Sequence, residues 1–280
     1  MKALVTGERG YIGTRLCEYL NKEGIFTARV SARGGISPEK LIGCDVLVHA
    51  AALVHQTDKN IPYEKYLEIN TVLTRNIADA AVTAGVGHFI FFSTMAVFEG
   101  HRFKNDAYIT DRTDVSFTSP YASTKYGAEE LLKEYGRTMT VSVLRPPLVY
   151  GKGSPGNFGR LIKLSKKIPV FPDADNCRSM IYIDNLCELV RLIILNKTPG
   201  YFHPQNADYM NTSRLVRDLG RLQGNAVQLV KAPGPIVRLS QTHSYGKKLF
   251  GAFAYNLNFS AHFDGAYNTV GYMDSLARSV

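Results

Sequence analysis

The sequence predicts a doubly wound α/β fold, in which helices cover both faces of a parallel sheet. Short apolar runs recur at Lys2–Val5, Cys44–His49 (CDVLVH) and His88–Ser93 (HFIFFS), and helical segments lie between them. These runs are unbroken and do not alternate with polar residues, which is typical of strands buried on both faces. A sheet of this kind binds its ligands at the carboxyl ends of the strands.

The first half of the chain supplies the alternation. Tyr11–Glu23 carries apolar residues at helical spacing, and Gly24 follows it as a C-terminal cap would. The remaining elements predicted for this half are a strand at Ile25–Ser31, the strand ending at His49, a long helix at Pro62–Ala84, the strand ending at Ser93, a helix at Pro120–Tyr135 and a strand at Met139–Leu144.

The composition changes after Tyr150. A glycine-rich loop, GKGSPGNFG, is followed by shorter predicted helices near residues 157–167, 184–196 and 212–223. We therefore expect a first domain over residues 1–150 and a smaller C-terminal lobe over residues 151–280, with some of the later chain returning to the first domain.

Composition excludes several classes of protein. The chain has 280 residues, 20% of them charged, and a net charge of +9. Its basic residues are spread along the sequence and not gathered with aromatic residues in one tract, so a nucleic-acid partner is not expected and a positive cleft for small anions is. The four cysteines lack metal-ligand spacing, which predicts buried thiols and no metal. With no signal peptide and no membrane-spanning run, a cytoplasmic location and no membrane insertion are expected.

The turn TGERGYIG (Thr6–Gly13) lies between the first strand and the first helix. A helix N-terminus offers unpaired N–H groups and a partial positive charge, both of which suit a diphosphate. This position in a strand–helix–strand unit predicts dinucleotide binding. The residues expected to line the site are Gly7, Arg9, Gly10, Tyr11, Ile12 and Gly13.

Several further motifs stand in a characteristic order. They are HAAA (His49–Ala52), Ser93-Thr94, SPYASTKYGAEELL (Ser119–Leu132) with its Tyr-x-x-x-Lys pair, RPPLVYG (Arg145–Gly151) and RSMIYID (Arg178–Asp184). Together with the glycine turn they resemble the extended short-chain dehydrogenase/reductase family over about two-thirds of the chain. The resemblance implies a Rossmann-type fold, a nicotinamide cofactor and a homodimer formed through the helices at Pro62–Ala84 and Pro120–Tyr135.

Cofactor choice depends on the end of the second strand, where NAD-using relatives carry an acidic residue. Ser31 stands there, and Arg33 follows it. A carboxylate would repel a 2′-phosphate, whereas a hydroxyl and a guanidinium would bind it. We therefore expect NADP(H), with Arg9 also reaching the 2′-phosphate. The other cofactor-binding residues expected are Ala50, Ala51, Ala52, Tyr121, Lys125 and Pro147.

Only 13 residues separate Ser31 from Asp45, where relatives place a strand and a helix. The edge strand is therefore predicted to be missing, and the loop at Gly34–Ser37 is expected to hold the adenine.

Tyr121 and Lys125 lie four residues apart on a predicted helix, so they share one face. A phenol has a pKa near 10, and an adjacent ammonium, together with the positive charge of an oxidised nicotinamide, is expected to lower it toward neutrality. The resemblance implies that Tyr121 transfers a proton, that Lys125 binds the nicotinamide ribose, and that Thr94, not Ser93, is the catalytic hydroxyl. His49 and Asn70 are expected to have structural or cofactor-side roles.

The resemblance also places the substrate. Arg178 matches a position that binds the diphosphate of a nucleotide sugar, and Asn157 falls near an asparagine that does the same. Thr94 and Met95 are expected beside the sugar. Arg238 is a candidate for a second phosphate contact.

Among the reactions of such enzymes, 4,6-dehydration needs an acidic pair directly after the catalytic hydroxyl, and Met95-Ala96 stands there. An NADP-type pocket suits a cofactor that arrives reduced, so we expect NADPH-dependent reduction of a 4-keto nucleotide sugar. A UDP-hexose 4-epimerase is the main alternative. A cofactor-sensing regulator would usually have lost Tyr121 or Lys125, and a steroid or flavonoid reductase fits the positive charge and Arg178 less well.

A looser similarity concerns HAAALVHQTD, the long helix after it and STMAVFEG. These stretches are similar to bacterial reductases that form UDP-N-acetylquinovosamine from the UDP-4-keto-6-deoxy sugar. That similarity implies a role in the synthesis of surface-polysaccharide precursors.

Overall fold

The computed structural model describes residues 1–7, 9–54, 61–101, 108–231 and 251–280. Within these residues a six-stranded sheet has the order β2-β1-β3-β4-β5-β9, and each neighbouring pair is parallel. Its strands are β1 (Lys2–Thr6), β2 (Phe26–Val30), β3 (Val46–His49), β4 (His88–Phe92), β5 (Thr140–Leu144) and β9 (Gly200–Phe202). The predicted fold class, a Rossmann-type doubly wound sheet, is confirmed.

Two of the α-helices begin at a residue whose side chain caps them. Ser119 Oγ accepts a hydrogen bond from the N–H of Ala122 at 3.2 Å, and Asn211 Oδ1 accepts one from Arg214 at 2.9 Å. The helices are α1 (Tyr11–Lys22), α2 (Tyr63–Leu67), α3 (Leu73–Thr83), α4 (Pro120–Leu132), α5 (Asn157–Ser165), α6 (Ile183–Asn196), α7 (Thr212–Leu222) and α8 (Tyr272–Ala277).

Burial of the central strands explains why their sequences are continuously apolar. Every residue of β3 and β4 is buried. Because successive side chains of a strand point to opposite faces, both faces of the sheet must be covered. On one face Leu47 and Phe89 pack in a cluster with Ile77 and Ala81 of α3 and Leu132 of α4.

The chain between β2 and β3 forms no strand. It contains a 3₁₀ turn at Pro38–Leu41, so β2 is the edge of the sheet and the prediction of a missing edge strand is confirmed. The order β2-β1-β3 means that the chain moves to one side of β1 and then to the other. The ends of β1 and β3 therefore form the topological switch point, where open α/β sheets bind ligands.

The predicted long helix at Pro62–Ala84 is helical from Tyr63 to Thr83 but is interrupted by a π-helical segment at Glu68–Val72. Such π segments often occur at functional sites. Asn70 lies in its middle and is 1% exposed. The π-helical segment therefore places the buried Asn70 amide next to Leu53, in the loop that follows β3.

The chain divides into two compact units. The first contains residues 1–101, 114–146 and 186–204, and the second contains residues 102–113, 147–185 and 205–280. In the second unit β6 (Leu148–Tyr150) pairs with β8 (Met180–Tyr182), and β7 (Val170–Asp173) pairs with β10 (Gln228–Lys231). Among the described helices, none combines the length and the apolar character needed to span a membrane.

Candidate active site

The glycine turn follows β1 and leads directly into α1. Gly7 has φ of +83°, and a Cβ there would lie 3.2 Å from the backbone nitrogen of Ala51. A Cβ on Gly13 would lie 2.8 Å from the carbonyl oxygen of Gly7, and one on Gly10 would lie 3.1 Å from the same oxygen. The turn thus requires glycine for conformation at one position and for space at the other two.

The N-terminus of α1 remains available to an anion. No described side chain caps it, and its first turn, which includes Tyr11, Ile12 and Gly13, contains no acidic residue. The first N–H groups of a helix have no intrahelical acceptor, and the helix dipole places partial positive charge there. This cradle fits a diphosphate group. Arg9 is exposed beside it.

A chain of buried hydrogen bonds joins the end of β1 to the end of β3. Thr6 Oγ1 accepts from the N–H groups of Ala50 and Ala51, both at 3.1 Å, and lies 2.8 Å from His49 Nδ1. On the other side His49 Nε2 lies 3.1 Å from Thr74 Oγ1, whose hydroxyl donates to the Asn70 carbonyl at 2.8 Å.

These contacts fix the tautomer of His49. Because the Thr74 hydroxyl donates its proton to Asn70, Thr74 Oγ1 must accept from His49 Nε2–H, which leaves Nδ1 to accept from Thr6. The ring is fully buried, and burial lowers the pKa of His49 to about 3, with the charge of Lys125 adding to the effect. His49 is therefore neutral at physiological pH and supports the site structurally.

Asn70 holds the loop that follows Ala50, Ala51 and Ala52, which are partly buried. Its Oδ1 accepts from the N–H of Leu53 at 2.8 Å, and its Nδ2 donates to the Leu53 carbonyl at 3.1 Å. Nδ2 also donates to Thr124 Oγ1 at 3.1 Å. Through this amide the loop after β3 is tied to α4, the helix of the Tyr-x-x-x-Lys pair.

The structure brings Thr94 and Tyr121 together. Thr94 follows β4 and caps a 3₁₀ turn, where its Oγ1 accepts from the N–H of Ala96 at 3.1 Å. The same hydroxyl hydrogen-bonds to the Tyr121 phenol and lowers its pKa in part. Burial outweighs this bond and raises the pKa of Tyr121 to about 12, to which Glu99 also contributes.

Lys125 lies one helical turn beyond Tyr121 and is 1% exposed. Its Nζ is 3.8 Å from the centroid of the Phe91 ring, and among the described residues it makes no hydrogen bond. Burial lowers the pKa of Lys125 to about 7, although Glu129 raises it. A buried amine with unused donors at the carboxyl end of the sheet fits a ligand that carries hydroxyl groups, such as a ribose.

The Lys125 ammonium, expected from the sequence to lower the pKa of Tyr121, is not among the groups that shift this pKa in the structure. The physical reason is burial, which keeps the phenol neutral and leaves the lysine only half charged at neutral pH.

Ser93 and Thr94 have different surroundings. Ser93 is buried, and its hydroxyl donates to Glu129. Thr94 is partly exposed and bonds to Tyr121. The geometry therefore places Thr94, as expected from the sequence, beside the phenol. Met95 is 3% exposed, and its N–H donates to the Pro146 carbonyl at 2.9 Å.

Ser31 and Arg33 follow β2 and are both exposed. The N–H of Arg33 lies 3.4 Å from Ser31 Oγ, so the two residues form one short turn. Gly34 and Gly35 follow with φ of +73° and +94°. The described chain from residue 26 to residue 38 contains no acidic residue, and a 2′-phosphate would therefore meet no carboxylate there.

The remaining substrate and cofactor candidates belong to the second unit. Pro147 is its first residue after the break at 146, and Asn157 begins α5 after Gly156, whose φ is +89°. Arg178 is partly buried, and its Nη1 donates to the Gly251 carbonyl at 2.9 Å. Burial lowers the pKa of Arg178 to about 10, so it remains charged at neutral pH. Arg238 lies outside the described residues.

Four residues of this region were not singled out from the sequence: Thr6, Thr74, Glu129 and Arg145. Thr6 and Thr74 hold His49, and Glu129 and Arg145 form a buried ion pair with N···O of 2.6 Å. One signal was available, because Glu129 follows Lys125 by one helical turn and so shares a face of the predicted helix with it. The others depend on contacts between distant parts of the chain.

Comparison with known proteins establishes the family. Residues 3–202 match the model of the NAD dependent epimerase/dehydratase family, and the chain belongs to that family. A curated relative is the UDP-glucose 4-epimerase of Vibrio cholerae, 28% identical over 248 residues that cover 77% of this chain and 74% of the relative.

Solved structures have the same fold. The UDP-glucose 4-epimerase of Thermus thermophilus, in complex with NAD, has a TM-score of 0.74 at 18% identity, covering 100% of this chain and 97% of that one. RMD from Pseudomonas aeruginosa, complexed with NADPH, has a TM-score of 0.75 at 17% identity, covering 99% and 97%.

Replacing Gly13 by alanine should weaken dinucleotide binding. The new Cβ would lie 2.8 Å from the Gly7 carbonyl oxygen and would push the turn away from the N-terminus of α1. We expect NADPH affinity, measured by fluorescence titration, to fall at least ~10-fold, about 1.4 kcal/mol. Gly136→Ala is the matched control, because a Cβ there meets nothing within 4 Å. Equal affinity of both variants would contradict the cradle.

The depressed pKa of Lys125 predicts a pH dependence of stability. Between pH 7 and 10.5 the unfolded chain keeps the Lys125 proton while the folded chain loses it, so stability rises with pH in this window. The wild type should gain about 2 kcal/mol relative to Lys125→Met between pH 7 and pH 9, in urea unfolding. A difference between the two proteins that does not change with pH would show that Lys125 keeps an ordinary pKa.

Proposed function

We propose that this protein is an NADP(H)-dependent oxidoreductase that reduces the 4-keto group of a nucleotide sugar. The observation that carries the proposal is the placement of Thr94 and Tyr121 in hydrogen-bond contact, with Lys125 buried one turn along. These groups lie in the unit that also holds the glycine cradle at the end of β1.

Each residue has one role in this reaction. The Tyr121 phenol donates its proton to the carbonyl oxygen as that oxygen becomes an alkoxide, and the Thr94 hydroxyl holds the same oxygen by a hydrogen bond. Lys125 would bind the ribose hydroxyls of the cofactor through its amine. The cofactor, when bound, supplies the hydride.

The pKa of Tyr121 is compatible with the phenol acting as a proton donor. A phenol with a pKa of about 12 holds its proton throughout the neutral range, and a proton donor must arrive in that form. Oxidation of a sugar hydroxyl, by contrast, requires the phenolate as the general base.

The cofactor proposal rests on the turn after β2. Ser31 and Arg33 offer a hydroxyl and a guanidinium, and Arg9 of the glycine turn lies in the same unit. A guanidinium binds a phosphate by two parallel hydrogen bonds, which suits a 2′-phosphate. RMD from Pseudomonas aeruginosa, which shares the fold, is a protein whose structure is complexed with NADPH.

The substrate proposal is a UDP-linked 4-keto-6-deoxy-N-acetylhexosamine, reduced to UDP-N-acetylquinovosamine for surface-polysaccharide precursors. Arg178 and Asn157 would bind the diphosphate, and Thr94 and Met95 would lie beside the sugar. The relative from Vibrio cholerae acts, by its name, on a UDP-sugar, which supports a nucleotide sugar as the substrate class. Arg178 keeps its charge at neutral pH, as a phosphate contact requires.

A UDP-hexose 4-epimerase is the second candidate, and the name of the same relative favours it. Epimerisation at C4 would use the same Thr94, Tyr121 and Lys125, with a tightly retained NAD⁺. A non-catalytic NADP(H) sensor is the third candidate. It would have no need for the hydroxyl of Tyr121, which this chain keeps.

We further propose a cytoplasmic homodimer, assembled through the helical stretch at residues 63–83 together with α4. Tyr63, Leu67, Val72 and Val82 are large apolar side chains of this stretch that remain exposed. Side chains of this kind would mark a protein–protein interface where they form one contiguous apolar patch.

Tyr121→Phe tests the reaction. We expect the wild type to oxidise NADPH with one or more of a panel of UDP-, dTDP- and GDP-linked 4-keto sugars, and to give the 4-hydroxy sugar by NMR. Loss of the phenolic proton should lower kcat at least ~100-fold, since a positioned acid contributes about that much. Tyr126→Phe, on the same helix, should retain activity.

Turnover of UDP-hexoses without added NADPH would favour the epimerase. If the wild type binds NADPH but reduces no sugar of the panel, and Tyr121→Phe binds NADPH equally well, the sensor would be favoured.

Arg33→Ala tests the cofactor. The variant should bind NADPH roughly 10-fold more weakly, since a charge-assisted contact to the 2′-phosphate is lost, while NADH binding changes less than about twofold. Isothermal titration of both cofactors gives the two affinities, and NADH serves as the internal control. Equal affinity of the wild type for NADH and NADPH would overturn the NADP(H) assignment.

A further inference from the structure

Glu129 is a fully buried carboxylate in α4 that the proposed chemistry does not use. Arg145 binds it through two nitrogens: Nε lies 3.1 and 3.2 Å from the two carboxylate oxygens, and Nη2 lies 2.6 Å from Oε2. The Ser93 hydroxyl donates to Oε1. All three residues are buried.

The three residues come from three elements whose neighbours carry the proposed chemistry. Ser93 directly precedes Thr94, and its N–H donates to the Leu144 carbonyl at 2.7 Å. Glu129 follows Tyr121 by two turns of α4. Arg145 follows β5 and precedes Pro146, whose carbonyl accepts from Met95. The network therefore ties the segment of Thr94 to the helix of Tyr121 and Lys125.

Further contacts hold Arg145 in place. Its guanidinium lies 4.5 Å from the Tyr201 ring centroid and 5.2 Å from the Phe98 ring centroid. The backbone N–H of Arg145 donates to the Phe202 carbonyl at 2.8 Å. A planar guanidinium clamped in this way can form the paired hydrogen bonds with little loss of entropy.

Stability alone does not account for such a pair. Burying two charges costs several kcal/mol for each ion, and apolar residues of similar volume are often as stable or more so. A buried ion pair is better suited to fixing one geometry, because any shift of α4 along the sheet would leave two charges unpaired.

We propose that Glu129 is a positioning residue: by binding Ser93 and Arg145 it holds α4 in the register that places Tyr121 against Thr94, and it has a second, electrostatic role as the buried carboxylate one helical turn from Lys125. The proposal rests on the proposed reductase function for its kinetic part only.

The surroundings of Lys125 support the electrostatic role. Phe91 of β4 lies under the amine, His49 of β3 is neutral, and Tyr121 on the same helix is a neutral phenol at physiological pH. Glu129 is the carboxylate that raises the pKa of Lys125, and Arg145 contacts Glu129 from the side of β5.

Glu129→Gln alone would leave Arg145 buried and unpaired, and this variant could fail to fold. The double variant Glu129→Leu/Arg145→Met removes both charges and keeps the volume apolar. Ser142→Ala is the matched control, because Ser142 is a buried serine of β5 that bonds to His88 and Thr198, away from Lys125.

We expect the double variant to unfold at the temperature of the wild type or above it. Its kcat for keto-sugar reduction should nevertheless fall at least ~20-fold, while KM changes less than about threefold. In the plot of kcat against pH, the decrease on the alkaline side should move to lower pH. Ser93→Ala, which keeps the charges, should lower kcat without moving the limb. Ser142→Ala should change neither.

A measurement without substrate separates this proposal from the proposed function. In protein labelled with ¹³C-lysine, the Cε signal of Lys125, assigned with Lys125→Met, reports its protonation. The midpoint should lie near pH 7 in the wild type and at least one unit lower in the double variant. A shifted midpoint in a protein that reduces no keto sugar would refute the reductase and leave the electrostatic role standing. An active double variant with the wild-type kcat and midpoint would overturn the role of Glu129.

Discussion

The hydrogen bond between Thr6 and His49 is the contact on which the rest of the site depends. Thr6 ends β1 and His49 ends β3, the two strands at which the chain changes direction across the sheet. The Thr6 oxygen also binds the first two N–H groups after β3, so one hydroxyl sets the separation between the glycine turn and the loop beyond His49. Thr74 and Asn70 extend the same constraint to the helices.

Electrostatics in the site are governed by burial more than by charge pairing. Removal from water drives the pKa of Tyr121 up and the pKa of Lys125 down, so both groups move toward their neutral forms. The buried carboxylate of Glu129 opposes this tendency at Lys125. The candidate active site thus combines an apolar environment, which holds the phenolic proton, with the Glu129 carboxylate, which raises the pKa of Lys125.

Sequence reasoning identified the sheet, because short unbroken apolar runs such as VLVH and HFIFF, separated by helical segments, are typical of strands buried on both faces. It also identified Tyr121 and Lys125, since their spacing on a helix is a local property. The π-helical segment around Asn70 was not foreseen, because it depends on the bonds between Asn70 and Leu53 and not on local propensity. The same holds for Glu129 and Arg145, which are 16 residues apart and meet only after β5 has entered the sheet. The pKa of Tyr121 was expected to fall because a sequence displays charges but not the depth at which they are buried.

The short connection between β2 and β3 has a consequence for turnover. Where a further strand and helix could have flanked the outer side of β2, this chain has a turn of four residues at Pro38–Leu41, and Phe26 of β2 is 62% exposed. A dinucleotide bound at the β2 edge of the sheet would contact fewer elements of the protein at its adenine end. Less of its surface would be buried in the complex, so dissociation would expose less surface to water. The dinucleotide would then dissociate quickly after each reaction, and the oxidised form would exchange with the reduced form in solution. This exchange would follow from the short connection between β2 and β3.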